Sequence, residues 1–499
     1  MASVSADPST SNPGQKPRNQ TACDVCRARK IRCTYEPNQQ RCQGCEFLDS
    51  ECTHDRPRRK RGPPNKHAQR VQQPLAGSPA ISSPANIAIS PETHHSSISP
   101  QSLHIPTPTA STGNWLSLFA PEPLISRLYG DWFNEIHPLA PIHLRRRFLR
   151  RLQQGEADTN ADFCGLVISL CAATKATLPR RDYGLVTVDY CVKFLDTHGL
   201  LQSQFGRDCY SIDRCIAMYH IGTAMSATTP SGLSSMRAYQ ALSEAAAGTR
   251  YLVYYRLQEY DEAQQQLLRR LMWLLFASAC ADIFGRLPIS LLSPERMDTF
   301  PKPLALSDNQ LEPSTLEPAW HGDDTSYIPG LNSLSDLFLI WQDMQQTPKD
   351  INPQTTITRY LVKVQKVLDD LPPELRWRGG LSRPATVTEG HDSQIANLFV
   401  TSLNIRSNIL QKFGPTEDTP KEHGKIIDDL LEILYHLPST VFHANGSSLV
   451  PKIRDIGAAY LEHGGVGDDA KMNIARLLWK LEDLDCWQGI GVLGAPGSM

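Results

Sequence analysis

From Trp115 onward, apolar residues return at the three-and-four spacing that gathers them on one face of a helix. The pattern predicts helices over about 121–135, 142–153, 160–177, 183–199, 210–225, 233–256 and 260–284. More are expected over 331–346, 354–370, 391–412, 421–436 and 470–486. Strand-like alternation is weak throughout, so 114–499 reads as a large all-α body with a softer, Pro-rich connection around 286–330. The most apolar run, Leu271–Phe284, spans fourteen residues and contains Asp282. A membrane span needs roughly 20 residues, so this run predicts a buried core helix and no membrane association.

Ahead of Trp115 the periodicity is missing. Residues 67–113 are rich in Ser, Pro, Thr and His, with prolines at 74, 79, 84, 91, 100, 106 and 108. Prolines at that density break helix and strand alike, which predicts a disordered linker. Its Ser-Pro pairs at Ser78, Ser83, Ser90 and Ser99 are ordinary text for such a linker. No a/d heptad persists between 62 and 115, so a coiled coil there is not expected. A homodimer would have to form through the helical body. Residues 1–20 are polar and Pro/Ser-rich, and also read as disordered. Between these stretches lie a cysteine-dense module, 21–55, and a basic segment, RPRRKRGPPNK, at 56–66.

Charge sharpens the division. The formal net charge of −2 conceals fourteen Lys/Arg against seven Asp/Glu in residues 1–70, and 36 against 45 in the rest. A basic head on an acidic body points to a polyanionic partner for the head alone.

Six of the thirteen cysteines fall between Cys23 and Cys52. The others, Cys164, Cys171, Cys191, Cys209, Cys215, Cys280 and Cys486, are scattered and read as core fillers. No apolar N-terminal stretch resembles an export signal, so a reducing compartment is expected. The six are then metal ligands rather than disulfides, and the sequons at Asn19 and Asn445 are chance matches. The spacing is C-x2-C-x6-C used twice with a period of nineteen: Cys23, Cys26, Cys33, then Cys42, Cys45, Cys52. Each half offers three sulfurs, whereas tetrahedral Zn²⁺ takes four ligands. Two zinc ions are satisfied by six sulfurs if two thiolates bridge, and the first cysteine of each half, Cys23 and Cys42, is the natural bridging pair. No histidine lies between Cys23 and Cys52, which disfavours mixed Cys/His zinc modules.

The halves differ in charge. The first, CDVCRARKIRC, carries Arg27, Arg29, Lys30 and Arg32, whereas the second, CQGCEFLDSEC, carries Glu46, Asp49 and Glu51 and no cation. Only the first can face phosphates. This stretch resembles the fungal two-zinc, six-cysteine binuclear cluster DNA-binding domain, in the pattern Cys-Asp-x-Cys-Arg-x-Arg/Lys-Lys-x-Arg/Lys-Cys. In the loop TYEPNQQR, Pro37 comes earlier than the proline that the family often places before its fourth cysteine. The resemblance implies double-stranded DNA as partner, with Arg29 and Lys30 at the base edges of a CGG-like triplet. Arg and Lys donating to guanine suit that role. Arg27 and Arg32 are cast as phosphate contacts, which position without reading sequence. The run Arg58, Arg59, Lys60 and Arg61 reads as a nuclear import signal and additional phosphate clamp.

In the body, FNEIHPLAPIHLRRRF (133–148) and LLRRLMWLLFASACADIFGRLPISL (267–291) resemble the fungal transcription-factor regulatory domain, or middle homology region. The second does so through Arg269, Arg270, Trp273, Asp282, Gly285, Arg286 and Pro288, and SPERMDTFPKP (293–303) extends the likeness. Arg270 and Asp282 are expected in internal ion pairs. The acidic-apolar stretches IIDDLLEILYHL (426–437) and LLWKLEDLDCW (477–487) could dock coactivators, although ordinary amphipathic helices are the simpler reading of both. No nucleophile elbow, phosphate-binding loop or HExxH motif is present, and His463-Gly464-Gly465 lacks a nucleophile to accompany it, so the chain is not expected to be an enzyme. The expectation is a nuclear, sequence-specific RNA polymerase II transcription factor, an activator of a metabolic pathway or biosynthetic gene cluster. The alternative is a ligand-sensing receptor or repressor whose DNA binding is secondary.

Overall fold

Short polar side chains begin the long helices, each satisfying backbone amides that have no partner within the helix. The Asn160 side chain accepts from the amides of Asp162 and Phe163, Thr187 from Tyr190, and Ser211 from Arg214. At the other end, Gly199 closes its helix at a φ of 64°, where a side chain would be strained. The computed structural model describes residues 22–28, 33, 35, 39, 41–47, 49–55, 114–201, 210–229, 235–284, 297–313, 324–349, 352–379, 386–463 and 467–484. Among them there is no β-strand. The chain divides into two compact units, Met1–Ser102 and Leu103–Met499.

Among its described residues the first unit holds two five-residue helices, α1 (Asp24–Ala28) and α2 (Gln43–Phe47). The second opens with α3 (Trp115–Phe119), α4 (Glu122–Asp131), a π-turn over Trp132–Ile136, and α5 (Arg145–Gln153). Next come α6 (Ala161–Thr177), α7 (Val188–His198), α8 (Ile212–Thr228) and α9 (Met236–Tyr251). Helix α8 packs between α6 and α9. Gly222 permits the close approach of α9, since a Cβ there would lie 2.5 Å from Leu242 Cγ.

Then follow α10 (Glu262–Phe284), the single turn α11 (Asp308–Leu311), α12 (Ile328–Gln346) and α13 (Pro353–Asp369). The last four are α14 (Glu389–Phe413), α15 (Thr419–His436), α16 (Ser439–His463) and α17 (Asp468–Leu484). Helix α14 is surrounded by α12, α13, α15 and α16, and α16 reaches back to α6, joining the early and late helices over one apolar core.

The expected central helix is α10: Leu271 to Cys280 are buried apart from the half-buried Ser278. Arg270 is buried in an ion pair with Asp308, while the side chain of Asp282 lies outside the described residues. The single cysteines at 164, 171, 191, 215 and 280 are buried core residues, and burial raises the thiols of Cys164, Cys191 and Cys215 to about 12. Cys209 and Cys486 lie outside the described residues. Helices α15 and α17 are amphipathic, with Ile427, Leu430 and Leu434 inward on one and Leu477, Leu481 and Leu484 on the other. The sequon residue Asn445 is buried in α16, donating to the carbonyls of Ser393 and Val441. No helix among the described residues is long and apolar enough to cross a membrane.

Candidate metal centre and nucleic-acid interface

Five-residue helices are too short to persist alone, so α1 and α2 need an external clamp. Each begins beside a cysteine: Cys23 precedes α1 and Cys42 precedes α2. The Cys26 amide donates to Cys23 Sγ at 3.4 Å, so sulfur occupies the electropositive start of α1. In α2 the amides of Cys45 and Glu46 return to the Cys42 carbonyl. Two equivalent turns thus place a C-x2-C pair at each helix start, as the nineteen-residue repeat requires.

The sulfurs of Cys23, Cys26, Cys42 and Cys45 all lie within 4.8 Å of one another, and all four residues are fully buried. Cys23 Sγ is 3.7 Å from Cys42 Sγ and 3.5 Å from Cys45 Sγ, and Cys26 Sγ is 3.5 Å from Cys42 Sγ. A zinc–sulfur bond of ~2.3 Å in a tetrahedron requires sulfurs about 3.8 Å apart. The first cysteine of each half therefore reaches a sulfur of the other half at a distance compatible with a shared ion. Cys33 and Cys52 are half-buried and pack against this group.

Burial pushes these thiols upward, taking Cys26 to about 12 and raising Cys33 and Cys45 as well. At Cys42 burial is outweighed by the Cys45 amide and neighbouring thiols, which bring it down to about 6. At Cys23 the Cys26 amide and the thiols of Cys26 and Cys45 likewise overcome burial and hold it below the ordinary thiol range. The most acidic sulfurs are thus the first of each half. Binding a cation supplies the free energy to deprotonate the rest.

Two residues outside the cysteine set bind the module together. Asp24 Oδ2 accepts from the Thr53 hydroxyl at 3.2 Å and the Asp55 amide at 2.7 Å, while its own amide donates to the Thr53 carbonyl. The end of the second half is thereby fastened to the start of the first. Tyr35 Oη lies 3.2 Å from Cys52 Sγ and 3.1 Å from His54 Nε2. Asp24 stands in the quoted cysteine run, but its partners lie about thirty positions later, beyond the reach of local pattern. Tyr35 carried no signal in the sequence.

Glu46, Asp49 and Glu51 of the second half are exposed, and Asp49 sits within 3.6 Å of the exposed Arg41. The backbone of Arg27 lies in α1. Arg29, Lys30, Arg32 and the basic run Arg58, Arg59, Lys60 and Arg61 lie outside the described residues.

The profile of the fungal Zn(2)-Cys(6) binuclear cluster domain matches residues 21–61, a range that holds six cysteines. That domain binds two zinc ions through six cysteines, and the buried four-sulfur group has the donor chemistry and spacing for it. No curated protein and no solved structure matches the chain. Residues 21–61 are accordingly a fungal Zn(2)-Cys(6) binuclear cluster domain, the zinc-holding, DNA-binding module of a fungal transcription factor.

Proposed function

We propose that the chain is a nuclear, sequence-specific RNA polymerase II transcription factor, acting as an activator, whose first cysteine half reads CGG-like triplets. The observation that carries the reading is a buried sulfur cluster joining two halves of opposite charge. The exposed acids of the second half repel a phosphate backbone, leaving the cationic first half to meet it. All six cysteines hold zinc, with Cys23 and Cys42 as the bridging pair; their short cross-half sulfur distances favour that pairing. Arg29 and Lys30 contact guanine edges, Arg27 and Arg32 contact phosphates, and Arg58, Arg59, Lys60 and Arg61 serve import and phosphate binding.

The expected disordered stretches 1–20 and 67–113 lie outside the described residues; in this reading the helical body is a regulatory domain of the fungal transcription-factor type. The body supports homodimerisation and contacts with coactivators, and the targets are genes of one metabolic pathway or biosynthetic cluster. The test is gel mobility of CGG-containing and scrambled duplexes with the full-length protein, before and after chelation. Zinc-dependent retention that favours CGG, and loses that preference in the Arg29→Ala/Lys30→Ala variant, is expected. Equal retention of both duplexes by the parent protein contradicts triplet recognition.

A further inference from the structure

Helices α13 and α15 stand on either side of α14 and leave a trough between them. Two adjoining cavities, about 440 and 330 Å³, lie along it and meet at Gln365 and Arg406. From Gln354 to Asp369 the lining follows sixteen residues of α13, fifteen steps that at 1.5 Å each span about 22 Å. Compact small-molecule pockets enclose most of their ligand, whereas this trough is long and open along its top.

The floor and walls are mixed: Phe399 and Leu403 of α14, Leu361 of α13 and Ile433 of α15 supply apolar surface, interleaved with polar groups such as Ser402 and Gln365. Val362, on the same wall, is 62% exposed, with nothing covering it among the described residues. The rim is acidic, with Asp369, Asp429 and Glu432 in the first cavity and Asp418 and Glu422 in the second. On the lining Arg376 and Arg406 oppose them; Arg406 is already engaged by Asp429 at 3.2 Å, and Glu422 is paired by Lys425. Asp369 accepts from Gln365 and Glu432 from the Trp377 indole, but neither has a cationic partner among the described residues.

We propose that this trough docks a basic amphipathic α-helix of a partner protein. Its length accommodates about four turns of helix, its floor takes the apolar side chains, and its unpaired carboxylates receive lysine or arginine heads. A second copy of the chain does not supply that helix from α5, the strongly basic RRRFLRRLQ. There Phe148 is buried in its own core, and Arg147 and Arg151 are held by Glu312 and Asp213. The proposal is independent of DNA recognition by the N-terminal module.

The test is fluorescence anisotropy of the full-length protein with a labelled helical peptide of about 15 residues, built of Leu and Lys with the leucines on one face. Saturable binding is expected, weakened roughly tenfold or more by Asp369→Lys with Glu432→Lys. Asp189→Lys with Glu462→Lys, exposed acids outside the trough, should leave it unchanged. Circular dichroism confirms that each variant folds. Equal affinity for a scrambled peptide of the same composition, or equal loss in both charge variants, overturns the proposal. Displacement by a small aromatic amine such as tryptamine at the peptide's own concentration overturns it in favour of a small-ligand site.

Discussion

Arg270 and Asp308, thirty-eight residues apart, form a buried ion pair in the helical body, with Nη1 donating to Oδ1 at 2.9 Å. The same guanidinium donates to the Pro141 carbonyl at 3.1 Å, and His137 Nε2 approaches Asp308 Oδ2 at 3.5 Å. Two separate segments, 137–141 and the turn that starts at Asp308, are thereby tied to α10 and to each other. Removing one member strands the other's charge in the core, which typically costs about 3–5 kcal/mol. Arg270→Leu should therefore lower the urea midpoint sharply, and adding Asp308→Leu should recover much of the loss. Recovery of nothing in the double variant would mean that the pair is not what couples these segments.

Acid should weaken the same pair in a defined window. Burial raises the Asp308 carboxyl, but His137 and Arg270 outweigh it and hold it below its ordinary value. A depressed carboxylate contributes stability above its unfolded pKa of about 3.9 and loses it as pH falls through the lower folded value. In urea titrations the stability gap between parent and Asp308→Asn should be full at neutral pH and close below about pH 4.

Lys452 makes the opposite case. It is buried in α16, donates to the Thr401 hydroxyl at 2.7 Å, and pairs with no carboxylate among the described residues. Burial brings its ammonium down to about 7. The unfolded chain, with a lysine pKa of about 10.4, then binds more protons between about pH 7 and 10, so stability rises with pH across that range. Lys452→Met should flatten that rise and be more stable than the parent at pH 6. Parallel pH profiles for the two proteins would show that the amine is not buried in this way.

His143 and His220 predict sensitivity at lower pH. Their Nε2 atoms are 2.8 Å apart among Trp132, Phe133 and Phe148. Burial lowers His143 well below its usual value and His220 to about 3, so both are neutral in the folded state. The unfolded imidazoles protonate near about pH 6.5, and stability should fall as pH drops from there toward about 3. His143→Phe with His220→Leu should reduce that slope in thermal melts taken between pH 4 and 7.

The helix pattern was legible where buried apolar side chains recur without punctuation. The expected 160–177 and 260–284 correspond to Ala161–Thr177 and Glu262–Phe284. Helix α16 went unread, because Asn445-Gly446-Ser447-Ser448 and Pro451 look like breakers. In the fold Pro451 points to solvent, while Phe442, Asn445, Leu449, Ile453, Ile456 and Tyr460 keep the helical period facing the core. Tertiary burial overrides the local signal there. The expected helix 183–199 starts only at Val188, the residues before it forming a loop that buries Tyr183. The cysteine cluster was readable because its geometry is written in short spacings. The partners of Arg270 and Asp24 were not, since Asp308 and Thr53 are brought to them only by the fold.

Zinc content tests the central claim most directly. Elemental analysis of the purified full-length chain should give two equivalents of zinc, with chelation removing both and abolishing retention of CGG duplex while helical circular dichroism of the body persists. One equivalent or none, or disulfides among Cys23, Cys26, Cys33, Cys42, Cys45 and Cys52, would contradict it.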